Sequence, residues 1–234
     1  MSRLSYDFLV LDMQHCEITL SHLPALLGSF GRGGPFAVVR PPENNYHAIN
    51  WLLDQGVGGV LVPRTNSVSD ARRAVDAAKY PPVGQRSFGP FRAARYGMAL
   101  DEYIPNADRR ATLIVQVEDH NAARNIDEIL AVEGVDAVFM GPNDLAYSML
   151  KPGKKLNGDP AEWTAFARTP QVLDLCAHVM ERCRARGIPF GMTGASMEDA
   201  RDWLRRGASF TTYGGDFLFL RRGAELLCGF GVTQ

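Results

Sequence analysis

Short apolar runs recur along the chain, and most of them end on a polar residue. They are residues 8–12 (FLVLD), 36–40 (FAVVR), 59–63 (GVLVP), 113–118 (LIVQVE), 137–141 (AVFMG), 190–193 (FGMT) and 210–214 (FTTYG). Runs this short and this continuously apolar are expected of strands covered on both faces in a parallel sheet. Segments of helical periodicity lie between them. Residues 67–80 open on a capping serine and repeat apolar positions at Val68, Ala71, Val75 and Ala78. Residues 121–132 and 171–186 behave likewise, and residues 197–206 stop at Gly207. Strand and helix in alternation predict an α/β fold with parallel strands.

The polar ends of the runs carry the chemistry. Asp12, Arg40 and Glu118 close three of them, and Asn143-Asp144 and Asp216 follow two others. A parallel barrel gathers all such strand ends on one rim, where active sites are built, whereas an open doubly wound sheet spreads them along a line. No GxGxxG follows the first run, so a dinucleotide fold is not supported. The expected class is therefore a (β/α)8, TIM-barrel type. Such a barrel has eight strands, and the runs above number seven. Residues 81–97 and 147–170 are rich in Gly, Pro, Arg and Lys and read as rim loops rather than strands. The expectation is that the usual first strand and helix are lacking and that the chain starts at the second strand.

Composition changes this picture little. The 234 residues are 46% hydrophobic and 22% charged, with no linker rich enough to divide them, so one domain over 1–234 is expected. The net charge of −1 and the brevity of the basic pairs Arg205-Arg206 and Arg221-Arg222 exclude a nucleic-acid footprint. No apolar stretch is long enough for a membrane span, and Asp7 and Asp12 interrupt any leader-like region. Four cysteines without a CxxC pair read as reduced thiols of a cytoplasmic protein, with Cys16 expected to be buried.

Taken in order, LDMQH, VVRP, LVP, YPPVGQRSFGP, VQVE, GVDAVFMGPNDLA and a late glycine-aspartate segment resemble the HpcH/HpaI family of metal-dependent pyruvate aldolases. The resemblance runs from about residue 6 to residue 225 and is most specific at VQVE and GVDAVFMGPNDLA. It implies a barrel of eight strands, a divalent metal and a 2-keto acid substrate.

Each rim residue then has an expected role. Glu118 ends an apolar strand, where an acid is costly unless paired or bound to a metal. Asp144 follows the next strand. Two carboxylates without cysteine make an oxygen-rich site suited to Mg²⁺ or Mn²⁺, with Co²⁺ also admissible; a salt bridge to a rim arginine is the other use of such an acid. The resemblance implies that Glu118 and Asp144 are the metal ligands. Gly141-Pro142-Asn143-Asp144 reads as a tight turn into a helix start, where N–H groups can hold an anion. By resemblance the N–H groups of Asn143 and Asp144 hold the substrate carboxylate. Arg40 precedes Pro41-Pro42, which turn the chain out of its strand. Its guanidinium suits an enolate or carboxylate oxygen, or else a partnership with Glu118 or Asp12; the resemblance implies the first. Asp12 and His15 can meet across a turn, the carboxylate fixing the imidazole tautomer for proton transfer. Gln14 stands where family members commonly carry Glu. Gln116 shares a face with Glu118 and lines the barrel mouth. Asp54 stands where the family has an acid that reaches a neighbouring subunit's site, with a solvated helix acid as the plain alternative.

The expected reaction is cleavage or formation of 4-hydroxy-2-keto acids, giving pyruvate and an aldehyde through a metal-stabilised enolate. No lysine ends a strand, so no Schiff base is required. Other readings are an oxaloacetate-using condensing enzyme or decarboxylase on the same scaffold, or a catalytically impaired barrel that binds small molecules. The apolar stretch 223–232 predicts an oligomer. The resemblance implies that a last helix over 223–234 is exchanged between subunits of a dimer-based homo-oligomer, up to a hexamer.

Overall fold

The structure, a computed structural model, describes residues 4–31, 33–150 and 160–228. Seven strands form one sheet: β1 (Phe8–Asp12), β2 (Phe36–Arg40), β3 (Gly59–Val62), β4 (Thr112–Val117), β5 (Ala137–Met140), β6 (Phe190–Thr193) and β7 (Phe210–Thr212). Every neighbouring pair is parallel, and the strands stand in chain order. The helices are α1 (Leu23–Phe30), α2 (Tyr46–Asp54), α3 (Val68–Ala78), α4 (Leu100–Tyr103), α5 (Ala107–Arg110), α6 (His120–Arg124), α7 (Ile126–Leu130), α8 (Pro142–Ser148), α9 (Pro160–Phe166), α10 (Pro170–Ala185), α11 (Met197–Arg206) and α12 (Asp216–Cys228).

Strand alternation sorts the core into two parts. One face of the sheet sends Val39, Val60, Val62, Val115, Val117, Val138, Met140 and Met192 against the helices, in the main core. The other face sends Val38, Leu61, Ile114, Ala137 and Phe139 inward, with Phe8, Val10 and Phe210 packed beside them. This is the layered interior of a barrel. Among the described residues the sheet is open between β1 and β7. Phe8 and Phe210 meet edge-on across that opening, with centroids 6.0 Å apart.

Local chemistry fixes the helix ends. Ser67 and Ser196 cap α3 and α11 through their hydroxyls, and Gly207 ends α11 at a φ of 113°, which favours glycine. The predicted strands agree with these to within a residue or two. The periodic segment 121–132 is two short helices, because the chain leaves helical geometry at Asn125 (φ −102°, ψ 27°). The predicted loop 147–170 contains α9, with residues 151–159 outside the described residues. The last helix begins at Asp216, seven residues ahead of the expected 223, and residues 229–234 lie outside the described residues. Cys16 is exposed rather than buried, because it lies on the turn beyond β1. No helix among the described residues is long and apolar enough to cross a membrane.

Candidate active site

The inward side chains at the C-terminal ends of β1, β2 and β4 form one connected polar network. Register pairs Asp12 directly with Arg40. The Arg40 guanidinium donates from Nε to Asp12 Oδ1 at 2.8 Å and from a terminal nitrogen to Asp12 Oδ2 at 2.5 Å. Its other terminal nitrogen reaches Gln116 Oε1 at 3.4 Å. Gln116 in turn donates from Nε2 to Glu118 Oε2 at 2.9 Å. Arg40 therefore pairs with Asp12 and not with Glu118.

Glu118 has an unusual environment. It is 6% exposed. Its Oε1 accepts from the Arg64 backbone N–H at 2.7 Å, and its own N–H is held by Asn66 Oδ1 at 3.1 Å. Among the described residues no lysine or arginine side chain forms an ion pair with it. Burial pushes its carboxyl pKa up to about 7, and the negative charge of Asp144 adds to that. The Arg64 N–H and the charges of Arg40 and Arg64 oppose the rise without cancelling it. Asp12 behaves in the opposite way. Burial disfavours its ionised form, but the Arg40 hydrogen bonds, the Gln14 N–H and the Arg40 charge outweigh burial and hold its pKa below the ordinary value.

Gly141 lies against this pair of acids and amides. A Cβ there would sit 2.9 Å from Gln116 Nε2 and 3.0 Å from Glu118 Oε2, so any larger residue would displace one of them. Gly141 is also the N-cap of α8, which has no side-chain cap. Asn143 and Asp144 occupy the first turn of that helix and are exposed at the rim.

One expected arrangement, the contact between Asp12 and His15, differs. The Asp12 carboxylate is engaged by Arg40 and the Gln14 N–H (2.9 Å), and no hydrogen bond joins it to the His15 ring. Across-strand register places a guanidinium opposite the acid, and that charge takes both oxygens first. His15 is exposed on the turn after β1. Asp54, the last residue of α2, shares no hydrogen bond with the rim network. It accepts from Arg86 at 2.7 Å and from Asn50 at 3.1 Å, and the Arg86 side chain is fully buried.

Some residues at the strand ends were not legible in advance. Arg64 serves through its backbone, at a φ of 52°, a left-handed conformation uncommon outside glycine. Its place just past β3 is the signal that could have drawn notice. Thr193 and Thr212 end β6 and β7 with their hydroxyls 3.0 Å apart, and strand-end position would again have marked them.

A parallel barrel sheet whose active rim carries a buried, unpaired carboxylate beside an arginine–aspartate pair defines an enzyme of the barrel type. The sequence profile of the HpcH/HpaI aldolase/citrate lyase family matches residues 1–222, and the chain belongs to that family. It is 36% identical over 226 residues to a hydroxypyruvate/pyruvate aldolase of Rhizorhabdus wittichii, covering 96% of this chain and 85% of the relative. It is 34% identical over 226 residues to a 5-keto-4-deoxy-D-glucarate aldolase of Enterobacter sp., covering 95% and 82%. A solved HpcH/HpaI aldolase/citrate lyase family protein from Burkholderia cenocepacia superposes with a TM-score of 0.85 at 27% identity, covering 97% of this chain and 86% of that one. The protein is thus a carbon–carbon lyase of the aldolase class.

Proposed function

We propose that the protein cleaves and forms 4-hydroxy-2-keto acids, giving pyruvate and an aldehyde, at a divalent-metal site on the barrel rim. Glu118 is the observation that carries this reading. It is a buried carboxylate, held only by amide N–H groups and facing the charge of Asp144. Two such acids repel each other, and a hard dication relieves both the repulsion and the burial. The donors are all oxygen, so the residues present fit Mg²⁺ or Mn²⁺, with Co²⁺ admissible. Glu118 and Asp144 would hold the ion. When bound, the ion supplies Lewis acidity toward the oxygens of a 2-keto acid.

The chain's own residues do the rest. The Asn143 and Asp144 N–H groups receive the substrate carboxylate at the start of α8. Gly141 leaves the keto acid room against Gln116 and Glu118. Arg40, fixed by Asp12 on one side and Gln116 on the other, places positive charge where the keto oxygen gains negative charge. Cleavage breaks the bond between C3 and C4 of the substrate, and the electron pair passes to C3. His15 takes the proton leaving the 4-hydroxyl, and the aldehyde departs. C3 then gains a proton to become the methyl group of pyruvate. Asp12 acts here through Arg40 rather than through His15.

Assembly follows from the same reading. Asp54, held by Arg86, serves the site of a neighbouring subunit. Helix α12 buries no residue and exposes Leu220, Leu226 and Leu227, which suits exchange of the last helix within a homo-oligomer. Its free cysteines fit a reducing, cytoplasmic setting.

The test is coupled pyruvate release from simple 4-hydroxy-2-keto acids and from oxaloacetate, with chelator or with added Mg²⁺, Mn²⁺ or Co²⁺. Pyruvate is expected from the 4-hydroxy-2-keto acids only when a metal is present, and from oxaloacetate only as a rate above that of the same metal without protein. No such pyruvate with any metal, from a sample that is folded by circular dichroism, would overturn the proposal.

A further inference from the structure

We infer that Thr193 and Thr212 form a hydroxyl pair that recognises a hydroxyl group on the aldehyde, so that the protein selects hydroxylated over unsubstituted aldehydes. The inference rests on the function proposed above and concerns the far side of the same site.

Strand register carries it. Val117 pairs with Met140, Met140 with Met192, and Met192 with Thr211. One residue further along each strand come Glu118, Gly141, Thr193 and Thr212, and Thr193 pairs directly with Thr212. Alternation turns this row toward the barrel interior, the face on which Phe139 and Phe210 pack two residues below Gly141 and Thr212. The row therefore runs from the proposed metal ligand to the threonines across Gly141, which has no side chain to interrupt it. A ligand with its keto-acid end at Glu118 extends its other end over Gly141 toward β6 and β7.

The chemistry at that end is specific. The two hydroxyls lie 3.0 Å apart, so one O–H is used within the pair. The second O–H and the remaining lone pairs are left for a further partner. Both residues are half-buried, and a half-buried hydroxyl is best satisfied by a partner that hydrogen-bonds. The end of β6 is also braced from behind. Arg168 donates to the Thr193 carbonyl at 2.8 Å and pairs with Asp199 at 3.2 Å. Addition joins C3 of pyruvate to the aldehyde carbon and moves one proton from the methyl group to the aldehyde oxygen. The second hydroxyl of the aldehyde takes no part in that step and is only held.

A cross-strand threonine pair also stabilises a sheet, so the experiment must separate selectivity from stability. Thr193→Val and Thr212→Val keep the side-chain shape and remove one hydroxyl each. For wild type and both variants, kcat/KM is measured for addition of pyruvate to glycolaldehyde and to acetaldehyde, with oxaloacetate decarboxylation above the rate of metal alone measured alongside because it needs no aldehyde. Wild type is expected to favour glycolaldehyde. Each variant is expected to lower the glycolaldehyde-to-acetaldehyde ratio by about tenfold, with decarboxylation retained. An unchanged ratio with decarboxylation intact, whether or not Tm falls, overturns the threonine assignment. A wild type with neither addition nor decarboxylation overturns the proposed function and this inference together.

Discussion

The two ends of the barrel interior are built from opposite materials. At the C-terminal ends of the strands Asp12, Arg40, Gln116 and Glu118 form a bonded polar chain. At the N-terminal ends Phe8, Phe36, Ile114, Ala137 and Phe210 surround a cavity of about 260 Å³ that is almost wholly apolar. The same strands supply both. The difference shows how a parallel barrel divides its labour. A carboxyl group at the upper end, Glu118, is held out of its ordinary state by burial and by a second acid. The lower end carries no such tension and contributes apolar burial.

Changes at the upper end should alter turnover, and changes at the lower end should alter stability. The largest effect is expected at Glu118. Glu118→Gln keeps the shape and removes the charge of the proposed metal ligand, and metal-dependent turnover should fall on the order of a thousandfold. Wild-type rates in that variant would remove Glu118 from the site. Next comes Gly141→Ala. Its Cβ would push on Gln116 Nε2 and Glu118 Oε2, and displacement on the ångström scale at a reacting centre lowers kcat by about a hundredfold. A variant with unchanged kcat would show that the amide and acid move aside freely.

At the lower end, Ile114→Ala enlarges a cavity that already exists. Urea unfolding should show a loss of about 2–4 kcal/mol, while kcat per folded molecule stays near wild type. A large fall in kcat with stability intact would contradict the division between the two ends.

The smallest expected effect is a pH dependence that only the upper end shows. In the metal-free protein Glu118 keeps its proton up to about pH 7, whereas an ordinary glutamate releases it near 4.5. Between those values the folded state binds the extra proton, so stability falls as pH rises and levels off above 7. Glu118→Gln removes that fall. With chelator present, the loss of unfolding free energy between pH 5 and pH 8 should be smaller in the variant, by on the order of 2 kcal/mol. Identical pH profiles would mean that Glu118 ionises normally in the fold.

Much of this was legible in the sequence, for reasons that differ from one element to the next. Strands β1 to β6 could be placed because a parallel strand buried on both faces leaves a short continuous apolar run. Helix α11 could be placed at both ends because Ser196 and Gly207 mark it chemically. The short helices α4 and α5 could not, because each is a single turn of four residues with Pro105 between them. At the site, residue types at strand ends were readable, since an acid or arginine closing an apolar run is conspicuous. Partners were readable only as alternatives. The sequence left Arg40 a choice of substrate oxygen, Glu118 or Asp12, and the register between strands sets it on Asp12, away from His15. Arg64 was invisible for a further reason: it serves through its backbone N–H, which carries no residue signature.

The central claim is that the buried Glu118, with Asp144, holds a divalent cation. Equilibrium titration of Mn²⁺ followed by electron paramagnetic resonance tests it without reference to turnover. The account predicts one saturable site per chain in the wild type and its loss in Glu118→Gln at the same Mn²⁺ concentrations, with both proteins folded. Equal Mn²⁺ binding by wild type and Glu118→Gln would contradict it.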